Sequence, residues 1–590
     1  MYRAIVFLWI ACWTLQYGQA QLAVELVSFP PSGQPVGTRV SWRASAPDVQ
    51  QPYFLFEARL DGGPWRLVRD YSANPVLDWV TIEEGSYEMR VRALDLASGE
   101  RGQTSRSFDI QALAGPTVQP TSHPLVALYG APACAEGRVR VRFRVPDTPT
   151  TWQHTPWKTC QGKSLHFYVA GMLENTSYQV QQESLAAGRL ERGPVLTFQT
   201  GTASPALPAK GVTNPPDRQT DAAEGVLLAS LRKVQSLWSV PVATDLLGRV
   251  IWYYDPPGFI GSILMRPLEG GNMLLTTADL QSTLLPLFRE VDLAGNLIRE
   301  TSSIAINLQL AARGEDQVTV FHHDAIRLSN GYTAVLAEID RILTDVQGPG
   351  PVKVVGDLIL VLDENFQVTW TWNAFEFLDP TRKAVLDEEC QLDVSSALGD
   401  GPIPCKDWTH SNALQYLPQD GNLLLTVRHQ DWVVKVDYRD GAGTGEVLWR
   451  MGPEGDFTLL SSDPWPWFSH PHDMEFDGGQ WVVYDNGNTR RAQLGPTAHS
   501  RGQAYLVDEE NRRAILVLNA DLGYYASRLG SAERLSNGNY HFLSGGGVTL
   551  PDGTHINQHI ELLPSAEKNY VLTWEQEAYR SFRMKSLYSP

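Results

Sequence analysis

Between positions 21 and 113, apolar and polar residues alternate in short runs. RVSWRAS, YFLFEARL, WRLVRDY and SYEMRVRALD are separated by turn residues. Alternation with a period of two marks half-buried strands, and this spacing is that of a β-sandwich. The same style returns in RVRVRFRVP, SLHFYVAGM, TSYQVQQESL and VLTFQTG. Residues 21–113 and 114–201 therefore read as two β-sandwich domains of immunoglobulin or fibronectin III type. The arginines of RVRVRF predict a strand with one wet face, a structural feature and not a binding stripe. TASPALPAKGVTNPPDRQTDA, rich in Pro and Ala, predicts a linker over 202–222.

From 223 onwards the pattern becomes a repeat. Its unit is a strand, a turn of N-G or G-G type and a second strand. A second pattern follows, V-x-D-x-x-G-x-V-x-W, ending in an aromatic residue. The turns are EGGNMLL (269–275), LSNGYTAVL (328–336), PQDGNLLL (418–425), FDGGQWVV (476–483) and LSNGNYHFL (535–543). With the opening GVLLASLRKVQSLWSVPVATDLLGRVIWYYD there are six units. Short β-units repeated in this way cannot bury a face alone and close best as a propeller. The expected fold is all-β, a six-bladed β-propeller over 223–590 preceded by the two sandwiches.

Composition narrows the class. The 590 residues carry a net charge of −18 and no compensating basic run, which argues against a nucleic-acid partner. Residues 1–20 read as a secretory signal: Arg3 opens it, AIVFLWIACWTL forms the apolar core, and Gly18-Gln19-Ala20 supplies the small-residue cleavage pattern. Nothing later is long and apolar enough to cross a bilayer as a helix. A periplasmic or secreted chain beginning near Gln21 is expected. Of five cysteines, Cys12 leaves with the signal. The other four allow three pairings, of which the local ones, Cys134–Cys160 and Cys390–Cys405, are favoured.

The candidate chemistry starts from HSNALQYLPQDGNLLLTVRHQ (410–430). Folded about its PQDG turn, this hairpin sets His410 opposite His429 and residue 411 opposite Arg428, so His410 and Arg428 are neighbours at its open end. Aligning the turns places His323, in FHHDAIRLSNG, and His472, in FSHPHDMEFDGG, at the corresponding strand starts. Gly530 and Ile263 hold that place in the other two hairpins. Equivalent strand ends in a propeller surround its central channel, so three imidazoles and one guanidinium would converge. Three histidines alone suit a transition metal. A guanidinium beside them repels a cation and prefers a tetrahedral anion such as sulfate or a phosphate ester. No metal and no cofactor is expected.

The segments DWTHSN (407–412), VRHQ (427–430), SHPHDMEF (469–476) and VYDNGN (483–488), in this order on a repeat array, resemble bacterial arylsulfate sulfotransferase over roughly 223–590. The resemblance implies a periplasmic six-bladed propeller that moves a sulfuryl group from an aryl sulfate to a phenol by a ping-pong route, without the nucleotide sulfate donor. It implies a sulfurylated histidine at His472, with His470 the neighbouring alternative. His323, His410 and Arg428 fall on further active-site positions, and Asn412 on an active-site asparagine. A homodimer is implied by family analogy. Trp465, Trp467 and Phe468 are candidates for the aryl pocket or for core packing.

Two other classes stay open on the sequence: a metal-dependent propeller hydrolase or lyase using the same histidines, and a secreted binding module without catalysis. Weaker signals are read as structure. HINQH (555–559) lies in a strand, GAGTGEV (441–447) in a hairpin, SGGGV (544–548) in a turn or bulge, and His154 at the surface of the second sandwich.

Overall fold

In a computed structural model, the chain is described over residues 22–146, 151–204, 207–232, 239–279, 285–390, 403–477 and 479–590. The expected signal segment, 1–20, lies outside the described residues. Nearly all regular structure is β, and none of the described helices is long and apolar enough to cross a membrane.

At the N-terminus, a sheet of Glu25–Phe29, Val40–Ser45 and Val76–Trp79 shares one core with a sheet built from Pro52–Leu60, Arg66–Ser72, Gly85–Asp95 and Arg101–Gln111. Alternation explains the packing: in VSWRAS the buried residues are Val40, Trp42 and Ala44, and the residues between them face out. Residues 117–199 repeat the arrangement around Tyr129, Val141, Phe167 and Val180. The arginines of RVRVRFR lie on the outer face of their strand. Arg138 and Arg140 sit over Trp157, and Arg142 and Arg144 over Trp152, a structural role as expected.

Beyond these, the described residues form six sheets, each built on four antiparallel strands. The five recurring turns each join the first and second strands of a sheet, as the pattern requires. The first sheet draws strands from both ends of this region: Val226–Arg232 pairs with Ser239–Asp245 on one side and with Ala578–Met584 on the other. The first strands Phe259–Pro267, Val320–Arg327, Ser411–Leu417, His472–Asp477 and Ser531–Arg534 pack side by side in chain order. Ala578–Met584 packs against both the last and the first of them.

Two features were not legible beforehand. Inside 202–222, Lys210–Asn214 is a strand added to the edge strand Lys568–Trp574 of the last sheet. Arg66–Ser72 runs parallel to Leu297–Ser302, so the N-terminal sheet that contains Arg66–Ser72 and the second repeat sheet form one nine-stranded sheet. A buried polar pair crosses that seam, with Thr301 Oγ1 donating to Asp70 Oδ2 at 3.0 Å.

Cys134–Cys160 and Cys390–Cys405 are bonded as the local pairing predicts. The second closes a separation of 15 residues, a restraint on the unfolded chain of roughly 3 kcal/mol. Cys390→Ser with Cys405→Ser is expected to lower the calorimetric melting midpoint, and adding a thiol reductant to the unaltered protein should reproduce the shift. The weaker signals are structural: GAGTGEV lies between paired strands, SGGGV spans a break in register, and His555 and His559 lie in one strand. His154 is partly exposed, beside Glu183.

Candidate active site

A bulge interrupts the first strand of each of three sheets at the same level. Register shifts fall between Phe321 and Ala325, Ser411 and Ala413, and His472 and Met474. The hairpin from Ala413 to Leu417 keeps the predicted pairing, but the bulge at Asn412 sets Ser411 opposite Val427 instead of Arg428. Regular pairing resumes two residues after His323 and His472 but three after His410, so the three are not strictly equivalent. His323 and His410 have left-handed backbones, φ 57° and 48°, which swing their rings away from the strand line.

The rings nevertheless gather. His323 and His410 lie 4.8 Å apart between centroids, and His410 stacks on His429 at 4.5 Å. The charge of Arg428 acts on His472. Sequence reasoning therefore found a set of residues that the tertiary structure does bring together.

Each imidazole has a distinct set of partners. Asn486 donates its amide to the carbonyls of Ala526 and Leu529, which turns its Oδ1 towards His472 Nδ1 at 2.7 Å. His472 therefore donates from Nδ1 and keeps the lone pair on Nε2, which has no hydrogen-bond partner among the described residues. Burial, and then the charge of Arg428, hold its pKa well below the usual imidazole value. His410 donates from Nδ1 to Asp407 Oδ2 at 2.7 Å, leaving its own Nε2 free. His429 donates from Nδ1 to the Asp407 carbonyl at 2.6 Å and accepts from Arg428 at Nε2. Arg428 also donates to the Ser527 carbonyl at 3.1 Å, while its Nε–H is buried without a partner.

His470 is a different kind of residue. Its Nε2 meets Glu388 and its Nδ1 lies 2.9 Å from Asp431. Burial opposes its charge, yet these two carboxylates win and raise its pKa. Both ring nitrogens are occupied, so this imidazole has no lone pair to offer. Asn412 donates to the Pro471 carbonyl at 2.8 Å, and its buried Oδ1 is unpartnered.

Of the two aromatic candidates, Phe468 is fully buried and Trp467 partly so, both packed with Tyr505 and Trp481 in one core cluster. Aromatic residues so close to a site histidine in sequence cannot be told from core residues until the sheets are stacked. Trp465 is partly buried, and its carbonyl accepts from Arg501.

Sequence reasoning also missed residues that act through the histidines. Asp407 and Asn486 lay within the quoted segments DWTHSN and VYDNGN without a role. His322 and Asp357 carried no signal beyond the HH pair. Arg580, whose buried guanidinium lies 2.5 Å from Asp324, donates to the Asn412 carbonyl and supports the bulge. Among the described residues, the groups with ligand atoms converging as a metal site requires are Glu388–His429–His470 and Asp407–His410–His429. Both depend on His429, whose two nitrogens are already engaged, and neither is the His323–His410–His472 set.

The neutral ring of His472, beside a buried guanidinium and the Asp407-backed ring of His410, is an arrangement that suits a tetrahedral anion on an all-β repeat scaffold. The family model for arylsulfotransferase (ASST) matches residues 212–583, and the chain belongs to that family. A protein of Escherichia coli O6:H1, strain CFT073, named arylsulfate sulfotransferase AssT, is 27% identical over 150 residues, covering 22% of this chain and 24% of that one. The chain thus matches about a quarter of that relative's length. A solved structure of a tetra-tandem repeat from the extending region of a large adhesion protein covers 72% of this chain and 97% of its own. It is 11% identical with a TM-score of 0.13, too low to bear on the fold.

The Asn486 contact leads to a prediction. Asn486→Asp would face His472 Nδ1 with a carboxylate and favour the imidazolium. The acid limb of donor kcat/KM is therefore expected to move up by about one pH unit or more, read from a pH–rate profile.

Proposed function

We propose that this chain transfers a sulfuryl group from an aryl sulfate to a phenolic acceptor by a ping-pong route through an N-sulfohistidine on His472, without a nucleotide sulfate donor. The observation that carries this reading is the His472–Asn486 hydrogen bond, which leaves a neutral imidazole with its Nε2 lone pair free. A nucleophile is useful at neutral pH only if it is unprotonated and aimed.

In the first half-reaction, His472 Nε2 attacks sulfur as the bridging S–O bond breaks, and the phenolate leaves with a proton from His323. Arg428 and His410, the latter backed by Asp407, hold the sulfuryl oxygens through charge-assisted contacts. Asn412 lies within the same strand bulge and completes the lining. In the second half-reaction, the acceptor phenol gives its proton to His323 and its oxygen attacks sulfur, which frees His472. Small-molecule aryl sulfates and phenols are the proposed partners.

The scaffold is proposed to be a six-bladed propeller over 223–590, following domains at 21–113 and 114–201 of sandwich type and the segment 202–222. Six sheets with neighbouring first strands support it, as does a C-terminal strand that joins the first sheet. Two disulfides favour a periplasmic or secreted location. The test is intact-protein mass after brief incubation with an aryl sulfate and no acceptor. A gain of about 80 Da that disappears on adding phenol is expected for a covalent sulfuryl-enzyme. Phenol sulfate formed with no such adduct would establish direct transfer instead.

A further inference from the structure

We propose that His322 and Asp357 form a proton relay behind His323, so that His323 can give up and regain a proton without ever holding a charge. The proposal rests on the sulfohistidine reading above. It starts from a contact of 2.7 Å between His322 Nδ1 and His323 Nδ1, the rings lying edge to face. Two imidazole nitrogens that close share one proton, since two lone pairs would repel and two N–H groups would clash. His322 Nε2 lies 3.2 Å from Asp357 Oδ1, and the other Asp357 oxygen accepts from the Ser411 backbone N–H at 2.7 Å. The carboxylate is thereby pinned by the residue that follows His410.

The groups that face His322 are Asp357 and Glu338 from the neighbouring strands and His323 beside it. Burial disfavours charge on His322, but the Asp357 carboxylate 3.2 Å away overcomes this and raises its pKa. Burial, and then His410, His322, His472 and Arg580, hold the His323 pKa well below the usual imidazole value. The relay places the shared proton on His322, which donates from Nδ1 to His323 and keeps its Nε2 3.2 Å from Asp357 Oδ1. His323 accepts at Nδ1 and carries its own proton on Nε2. That atom has no hydrogen-bond partner among the described residues, and its ring stands beside His410. The Tyr579 hydroxyl fixes the His323 backbone by donating to its carbonyl at 2.8 Å.

The balance is as follows. As the His472 Nε2–S bond forms and the bridging S–O bond breaks, the electron pair left on the aryl oxygen takes the proton from His323 Nε2. His323 Nδ1 takes the proton from His322 Nδ1. His322 ends as a neutral imidazole with its proton on Nε2, and His323 ends neutral with its proton on Nδ1. When the acceptor phenol reacts, its O–H proton passes to His323 Nε2, and the Nδ1 proton returns to His322. Without His322, His323 could protonate a leaving group only by becoming an imidazolate. His322 is thus a positioning residue that acts through His323.

Leaving groups of different basicity separate this role from a structural one. A nitrophenolate leaves without a proton, whereas phenolate, the base of an acid with pKa of about 10, does not leave readily. Adduct formation would be followed for His322→Gln and for Asp357→Asn, which keeps an acceptor for Ser411, with para-nitrophenyl sulfate and with phenyl sulfate. The expected loss is about 100-fold or more with phenyl sulfate, against a few-fold at most with the nitrophenyl ester. An equal loss with both donors, or none with either, in both variants overturns the relay but leaves the sulfohistidine reading intact. Absence of the adduct from the unaltered protein overturns that reading, and the relay with it.

Discussion

His472→Ala is expected to abolish the sulfuryl adduct and to lower transfer by about ten-thousand-fold or more, the scale seen when a covalent nucleophile is removed. The fold should survive. His472 stands at the very start of its strand, and beyond it the pairing of Met474 to Asp477 is made by the backbone. The loss leaves Asn486 Oδ1 without its donor, a cost of about 1–3 kcal/mol for a buried acceptor. A melting curve close to that of the unaltered protein would therefore accompany the inactive phenotype. His470→Ala provides the contrast. Its ring is clamped between Glu388 and Asp431, so its removal should cost stability yet leave the adduct in place. An adduct that persists in His472→Ala but vanishes in His470→Ala would move the nucleophile two residues and keep the chemistry.

Arg428→Ala is expected to slow adduct formation by about 100- to 1,000-fold, the usual effect of removing one preorganised donor from a site of developing charge. Arg428 is 9% exposed, so little solvent screens its charge. Its loss has a second consequence of defined sign. A nearby cation disfavours the imidazolium of His472, so removing it should raise that pKa and move the acid limb of the rate profile upward. Arg428→Lys should keep the field, and with it the pH profile, but regain only part of the rate. A lysine cannot reach both the His429 nitrogen and the Ser527 carbonyl while also contacting a sulfuryl oxygen.

Much of this site was legible in the chain. His323, His410 and His472 could be gathered because hairpin turns repeat, and a repeat converts distance along the chain into position around an axis. Arg428 could be added because the PQDG turn fixes which residues lie across from each other. The bulges were not legible. An extra residue in a strand leaves no mark in a pattern of period two, so the pairing of Ser411 was off by one and the three histidines looked more alike than they are. The packing of Trp467 and Phe468 was open for a related reason, since burial between two sheets depends on how those sheets stack.

The alternating strands, the recurring turns and the local cysteine pairs follow from residues close together in sequence, where steric and hydrophobic preferences act without help. The sequence by itself therefore determined an all-β chain, its repeated hairpins, its two disulfides and the identity of the residues that meet. Only the tertiary structure decided which imidazole keeps a free nitrogen. His472 and His470 are two residues apart in the same motif. One meets an amide oxygen that leaves its Nε2 open, and the other meets two carboxylates that occupy the whole ring. Those partners come from Asn486, Glu388 and Asp431, and a hydrogen bond depends on fractions of an ångström that no spacing along a chain records.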